Sequence, residues 1–326
     1  MKTCIITGCL GQSGSFLSEH MISTGHHVYG VTTRRSTDAD SYGFLEHLRC
    51  HSNFTLIRGD ITDAVFMTNL ISEIKPDKMA NMAAMSHVGQ SFSNPVTTFE
   101  VNATAVVNML SAIKTHSPNT RFYQASTSEK FGGIDCPTSG YTEKSTLHPR
   151  SPYGVAKLAA YWSVINFRES YNLNCASGVL FNHESERRGL DFITRKVTNS
   201  VARIKAGLDT KLIVGNIEAF RDWGYAKDYM KMVALMLDQD YMQEFVIATG
   251  KAYSVRQLID IAFRSAGLGS WEKFVEFDER FMRPSEVPYL LGDASKAEEE
   301  LGWVPETSFE QLVELMLAAD LKRYGL

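Results

Sequence analysis

The chain has 326 residues, of which 44% are hydrophobic and 21% charged, and a formal net charge of −4. This length can bury a large core, arranged as one big or two intimate domains. The charge balance argues against nucleic acid or a membrane surface as the main partner, and no apolar run reads as long enough to span a bilayer. A strand starts almost at once, so no signal peptide is expected. Cys4, Cys9, Cys50, Cys136 and Cys175 are scattered and odd in number, and the nine histidines show no ligand spacing. We therefore expect no metal and a reducing, cytoplasmic setting.

Thr3 to Thr7 reads as a strand that runs into Gly8-Cys9-Leu10-Gly11-Gln12-Ser13-Gly14. Glycines at intervals of three let a backbone turn tightly and approach a pyrophosphate. A helix from about Ser13 to Gly25 would aim its first N–H groups at that anion. The second strand, His27 to Thr32, leads to Thr33-Arg34-Arg35-Ser36. An acidic residue there would suit the ribose of NAD. Two arginines suit a 2′-phosphate instead, so NADP is the expected cofactor.

A third strand, Phe54 to Ile57, delivers Asp60 and Ile61 to flank an adenine. A helix from Asp63 carries Phe66, Leu70 and Ile74, and Pro76 closes it. Residues 77–88 read as a fourth strand running into small residues, Met82, Ala83, Ala84 and Ser86, which suit a backbone close to a cofactor. The helix from about Pro95 to Lys114 carries Phe99, Ala103, Val106, Leu110 and Ile113 as its core stripe.

The fifth strand, Arg121 to Ala125, delivers Ser126-Thr127-Ser128-Glu129, and residues 130–148 read as a polar loop. Next comes Pro149-Arg150-Ser151-Pro152-Tyr153-Gly154-Val155-Ala156-Lys157. Tyr153 and Lys157, four apart on a helix, share a face. The helix reads apolar at Val155, Leu158, Trp162 and Ile165, with Tyr153 and Lys157 projecting roughly to the other side. An ammonium beside a phenol should lower its pKa and make it a base. The sixth strand is Asn174 to Phe181. Strands alternating with helices predict an α/β doubly wound (Rossmann) parallel sheet with a smaller C-terminal substrate-binding domain. The expected division is 1–181 for cofactor and 182–326 for substrate, with about 218–248 returning to the first domain. Ser254/Gln257 and Ser308/Gln311 read as capping boxes opening late helices.

Taken together, these stretches resemble the extended short-chain dehydrogenase/reductase family, and within it the GDP-mannose 4,6-dehydratases. The resemblance covers nearly the whole chain. Its motifs are Gly11 to Ser15, Ala125 to Glu129, Pro149 to Lys157, Leu180 to Ser185, Arg221-Asp222-Trp223-Gly224 and Leu291 to Lys296. It implies an NADP-dependent hydro-lyase acting on a GDP-sugar, as a homodimer or homotetramer. Thr127, Glu129, Tyr153 and Lys157 would be catalytic. Gly8, Gly11, Gln12, Ser13, Gly14, Arg34, Arg35, Ser36, His183 and Arg188 would meet the cofactor, along with Asp60, Ile61, Met82, Ala83, Ala84, Ser86, Tyr153 and Lys157. Ser86, Asn182, Lys196, Arg221, Arg283 and Glu286 would hold the sugar nucleotide.

In the implied reaction Tyr153 takes the O4 proton and hydride leaves C4. Glu129 then removes the acidified C5 proton and helps expel water from C6. Alternatives are the same dehydration of a related sugar such as a GDP-manno-heptose, or an NADP-dependent nucleotide-sugar reductase or epimerase. Ser13 stands where the family usually has Asp, Lys130 where it has an apolar residue, and Tyr225 where it has His.

Overall fold

The computed structural model describes residues 1–33, 41–278, 280 and 287–326. Strands β1 (Thr3–Thr7), β2 (His27–Thr32), β3 (Phe54–Arg58), β4 (Lys78–Asn81), β5 (Arg121–Thr127) and β6 (Cys175–Leu180) are all parallel. Every residue of β6 is buried, as a strand covered on both faces must be. Helix α1 (Gln12–Ser23) opens directly after the glycine-rich turn. In α2 (Ala64–Ile74), Asp63 caps the first turn by accepting from the N–H groups of Val65 and Phe66. Lys75 then takes a left-handed conformation (φ 45°) ahead of Pro76.

Strand β4 is shorter than the sequence reading. Residues 82–87 follow without regular structure, and then a short unforeseen helix, α3 (Val88–Ser93). Helix α4 (Pro95–Phe99) passes through one π turn, Glu100–Thr104, into α5 (Ala105–His116). The wider turn shifts the helical phase, so Phe99 leaves the expected core stripe and is 44% exposed, while Ala103, Val106, Leu110 and Ile113 are buried. This continuous run, Pro95–His116, is long and apolar enough to cross a bilayer, which corrects the sequence reading. Here it packs against α2 and α6 (Pro152–Tyr171).

Helix α6 buries the side that carries Tyr153 and Lys157. Two residues of its apolar stripe face outward, Val155 at 46% and Trp162 at 55% exposed, Leu158 and Ile165 are half-buried against the core, and Tyr153, Lys157, Ala160 and Val164 are buried. The small side chains of Ala156 and Ala160 let this face approach the sheet, and Lys157 satisfies its buried ammonium on the carbonyl of Ala125 at 3.0 Å. Hydrophobic pattern alone does not identify the buried side, because the chain also buries its polar pair.

After β6 come β7 (Asn182–Glu184), α7 (Ile193–Lys205), β8 (Leu212–Val214), β9 (Phe220–Tyr225), α8 (Ala226–Asp238), β10 (Phe245–Ile247), β11 (Ala252–Ser254) and α9 (Val255–Ser265). They are followed by β12 (Val275–Phe277), β13 (Tyr289–Leu290), α10 (Ser295–Leu301) and α11 (Phe309–Arg323). Strand β10 joins the main sheet, giving seven strands in the order β10-β6-β5-β4-β1-β2-β3, and α8 packs on α1. Strands β7, β9, β11 and β13 form a four-stranded sheet, and β8 pairs with β12. Helices α7, α9 and α11 share a separate core in which Trp223 stacks on Phe309 at 5.4 Å. Both expected capping boxes form reciprocally, at Ser254/Gln257 and Ser308/Gln311.

Candidate active site

A cleft of about 1220 Å³ lies over the carboxyl ends of β1, β4, β5 and β6 and reaches the second core. In an open parallel sheet this is where ligands sit. Its floor is the turn after β1. Gly8 has φ +63°, and a Cβ there would lie 2.9 Å from the backbone of Ala83. A Cβ on Gly14 would lie 2.2 Å from the Gly8 carbonyl oxygen, so the turn closes only with hydrogen at that place. Gly11 is the N-cap of α1 and offers no side-chain cap. The first N–H groups of α1 are therefore available to an anion in the cleft. This is the donor set a pyrophosphate needs.

A hydrogen-bonded strap fixes the far side of that turn. His183 Nδ1 faces the Phe181 carbonyl at 3.0 Å, and Nε2 faces Ser13 Oγ at 2.8 Å. A carbonyl only accepts, so the Nδ1 proton points to it and Nε2 accepts from Ser13. Burial pushes the imidazole down to about pKa 4, so it is neutral at pH 7. Gln12 donates to the His183 carbonyl at 2.9 Å and accepts from Ser185 Oγ at 2.7 Å. Arg187 donates to Ser15 and Glu19.

The reactive end is built from β5 and α6. Strand β5 runs through Thr127 into the turn Ser128–Lys130. Thr127 Oγ1 accepts from the Glu129 N–H at 3.2 Å, and its hydroxyl also bonds to Tyr153. Helix α6 begins at Ser151, whose hydroxyl accepts from Gly154 N–H at 3.0 Å. A Cβ on Gly154 would sit 3.1 Å from the Glu129 carbonyl, so glycine lets the helix start press against the Glu129 turn. Thr127, Glu129, Tyr153 and Lys157 thus share one corner of the cleft.

The expected activation of Tyr153 by Lys157 is not built into this corner. Burial pushes the Tyr153 phenol up to about 12, against a lowering hydrogen bond from Thr127. The Lys157 ammonium lies 5.9 Å from the Tyr153 ring centroid and bonds to Ala125 instead. Burial lowers Lys157 to about 8. Desolvation outweighs the pairing that sequence spacing suggested.

The opposite wall comes from the segment after β6. Arg188 lies 3.0 Å from the buried Glu184 and stacks its guanidinium 3.5 Å over Phe192. Lys196 and Arg221 line the same wall, and burial lowers the Lys196 pKa. Asp222, next to Arg221, accepts from Thr249 N–H and Oγ1, Gly250 N–H and Gly292 N–H. It ties β9 to the loop after β10, and burial raises its carboxyl to about 6.

Residues 5–316 match the family model described as GDP-mannose 4,6 dehydratase. The chain belongs to the GDP-mannose 4,6-dehydratase family. It is 43% identical to GDP-mannose 4,6 dehydratase 2 of Arabidopsis thaliana, over 98% of this chain and 87% of that protein. It is 41% identical to the Homo sapiens GDP-mannose 4,6 dehydratase, over 98% of this chain and 92% of that one. A dTDP-glucose 4,6-dehydratase from Streptomyces venezuelae, solved with NAD bound, has the same fold at TM-score 0.86 and 22% identity, covering 99% of this chain and 98% of that one.

For this member of the GDP-mannose 4,6-dehydratase family, the cleft brings together Gly8, Gly11, Gln12, Ser13, Gly14, Asp60, Ile61, Met82, Ala83, Ala84 and Ser86 with the reactive corner. Asn182, His183, Arg188, Lys196 and Arg221 also line it. Arg34, Arg35, Ser36, Arg283 and Glu286 lie outside the described residues. Sequence reasoning missed Ser185, Arg187, Glu184 and Asp222 as holders of the site. They sit inside or beside recognised motifs, but only long-range contacts reveal what they hold. It also read 130–148 as polar, whereas Lys130 and Phe131 are fully buried and Phe131 stacks on Tyr141 at 4.5 Å.

Proposed function

We propose that this chain converts GDP-mannose to GDP-4-keto-6-deoxymannose with loss of water, using NADP. The observation that carries this reading is a buried carboxylate, Glu129, pressed against the helix start that bears Tyr153, in the cleft of the glycine-rich turn. A plain dehydrogenase needs the tyrosine and lysine but no carboxylate at that place.

The turn after β1 and the uncapped start of α1 would hold the pyrophosphate, with Asp60, Ile61 and residues 82–86 beside the adenosine and nicotinamide halves. We assign Arg34, Arg35 and Ser36 to the 2′-phosphate on charge and position in the sequence. The bound nicotinamide would supply reversible two-electron storage, so that the sugar is oxidised at C4 and later reduced at C6 without net consumption.

The chain itself moves protons. Tyr153 holds and transfers the proton at O4, and Lys157, held on the Ala125 carbonyl, stands one helical turn behind it. The Thr127 hydroxyl, bonded to Tyr153, would turn its proton to the oxygen at C4 as it becomes a carbonyl. That carbonyl acidifies the C5 proton. Glu129 takes this proton and passes it to the C6 oxygen, which departs as water when the C6–O bond breaks, and the proton that Tyr153 took from O4 goes to C5 as C6 is reduced. Lys196 and Arg221 would hold the GDP portion, whose negative charge suits the basic wall, and we assign Arg283 and Glu286 to it from the sequence alone.

The test is a mass spectrum after incubating the pure protein with GDP-mannose and NADP. A product lighter by one water, with no net NADPH, is expected. Net NADPH formation, or epimerisation at constant mass, would refute the dehydratase reading.

A further inference from the structure

The cleft wall after β4 carries one more side chain with a fixed hydrogen-bonding sense, His87. Its Nδ1 accepts from the Gln90 N–H at 3.0 Å. A nitrogen that accepts carries no proton, so the neutral ring holds its proton on Nε2. The ring is wedged from two sides. A Cβ on Gly89 would lie 3.1 Å from His87 Cε1, and the Phe192 ring lies 5.7 Å away, centroid to centroid. His87, Gly89 and Phe192 all line the cleft, and no described residue bonds to Nε2.

The position joins the two halves of the site. Tyr153 N–H donates to Ser91 Oγ at 3.2 Å, which docks α3 on the start of α6. Phe192 is the N-cap of α7, the helix that carries Lys196. His87 therefore stands where the Tyr153 corner and the basic wall face each other. A diphosphate would find charge at Lys196 and Arg221. A neutral N–H donor suits an uncharged hydroxyl instead.

We propose that His87 Nε2–H donates a hydrogen bond to a hydroxyl of the hexose of GDP-mannose, and so helps seat the sugar between Tyr153 and Glu129. This rests on the function proposed above. It assigns the wall residue His87 a share of sugar recognition, separate from recognition of the nucleotide.

The test compares His87→Asn and His87→Ala with the wild type. Asparagine is a favoured N-cap and can accept from Gln90 N–H, but it spends its oxygen there and falls short of the Nε2 position. The measurements are steady-state kinetics with GDP-mannose and calorimetric affinities for GDP and NADP. Both variants should raise KM for GDP-mannose about fivefold to tenfold, the worth of one hydrogen bond. Affinities for GDP and NADP should stay close to wild type. If alanine prevents folding, asparagine alone decides. A wild-type KM in His87→Asn would reduce His87 to a helix cap and overturn the proposal, as would an equal loss of GDP affinity. A wild-type protein inert toward GDP-mannose would overturn the functional reading and this one with it. An active wild type with unaffected variants would overturn this one alone.

Discussion

Replacing Lys130 with methionine should stabilise the protein at neutral pH. Lys130 is fully buried against the rings of Phe131 and Tyr161, and its Nζ has no hydrogen-bond partner. Its nearest support is the Tyr161 ring, 3.4 Å away, with Glu143 and Glu244 acting at longer range. Glu244 is already engaged by Arg168 at 2.7 Å, and Glu143 accepts from Val246 N–H. Burial lowers the lysine from 10.5 to about 7. At roughly 1.4 kcal/mol per unit, an ionised Lys130 costs the fold at most about 5 kcal/mol. The ring contact offsets about 2 kcal/mol of that. Methionine keeps the apolar stem and removes the charge, so the expected gain is about 3 kcal/mol, or on the order of 5 °C in Tm.

Between about 7 and 10.5 the unfolded chain holds a proton that the folded chain has released. Wild-type stability therefore rises with pH across that window. The advantage of the methionine variant should be largest at pH 6.5 and fade toward pH 10. Thermal and urea unfolding of both proteins at pH 6.5 and 9.5 would measure it. A methionine variant less stable at both pH values, or a gap independent of pH, would refute the reasoning.

Other changes probe the site. Glu129→Gln should stop water loss while GDP-mannose and NADP still bind, as read by mass spectrometry and calorimetry; lost binding would make Glu129 structural. Gly14→Ala places a methyl 2.2 Å from the Gly8 carbonyl, so NADP affinity should fall by more than tenfold in a fluorescence titration. His183 is neutral in the fold, with its pKa lowered from 6.5 to about 4. Its contribution is whole above pH 6.5 and is lost as the pH falls toward 4, about 3 kcal/mol in all. His183→Gln should flatten that part of the acid-melting curve, while an unchanged curve would place the effect elsewhere. Arg35→Ala should weaken NADP more than NAD, and equal effects in paired titrations would rule out a 2′-phosphate contact.

Much of the molecule is written in local pattern. The strand, glycine-rich turn and helix at the start of the chain follow from residues within a few positions of one another, as do the Asp63 cap and the capping boxes at Ser254 and Ser308. Glu129 and Tyr153 could be read from motifs because their spacing is carried by adjoining elements. Tertiary structure alone decided what depends on distant neighbours. It turned α6 so that Tyr153 and Lys157 face inward, because Ala125 offers a carbonyl to the ammonium and small side chains admit the sheet. It left Tyr153 with a raised pKa, because desolvation is a property of the whole surround and not of the Y-x-x-x-K spacing. It also buried Lys130 and gave Asp222 its four donors from Thr249, Gly250 and Gly292. Periodicity records which face could be buried, but the partner that covers it comes from elsewhere in the chain.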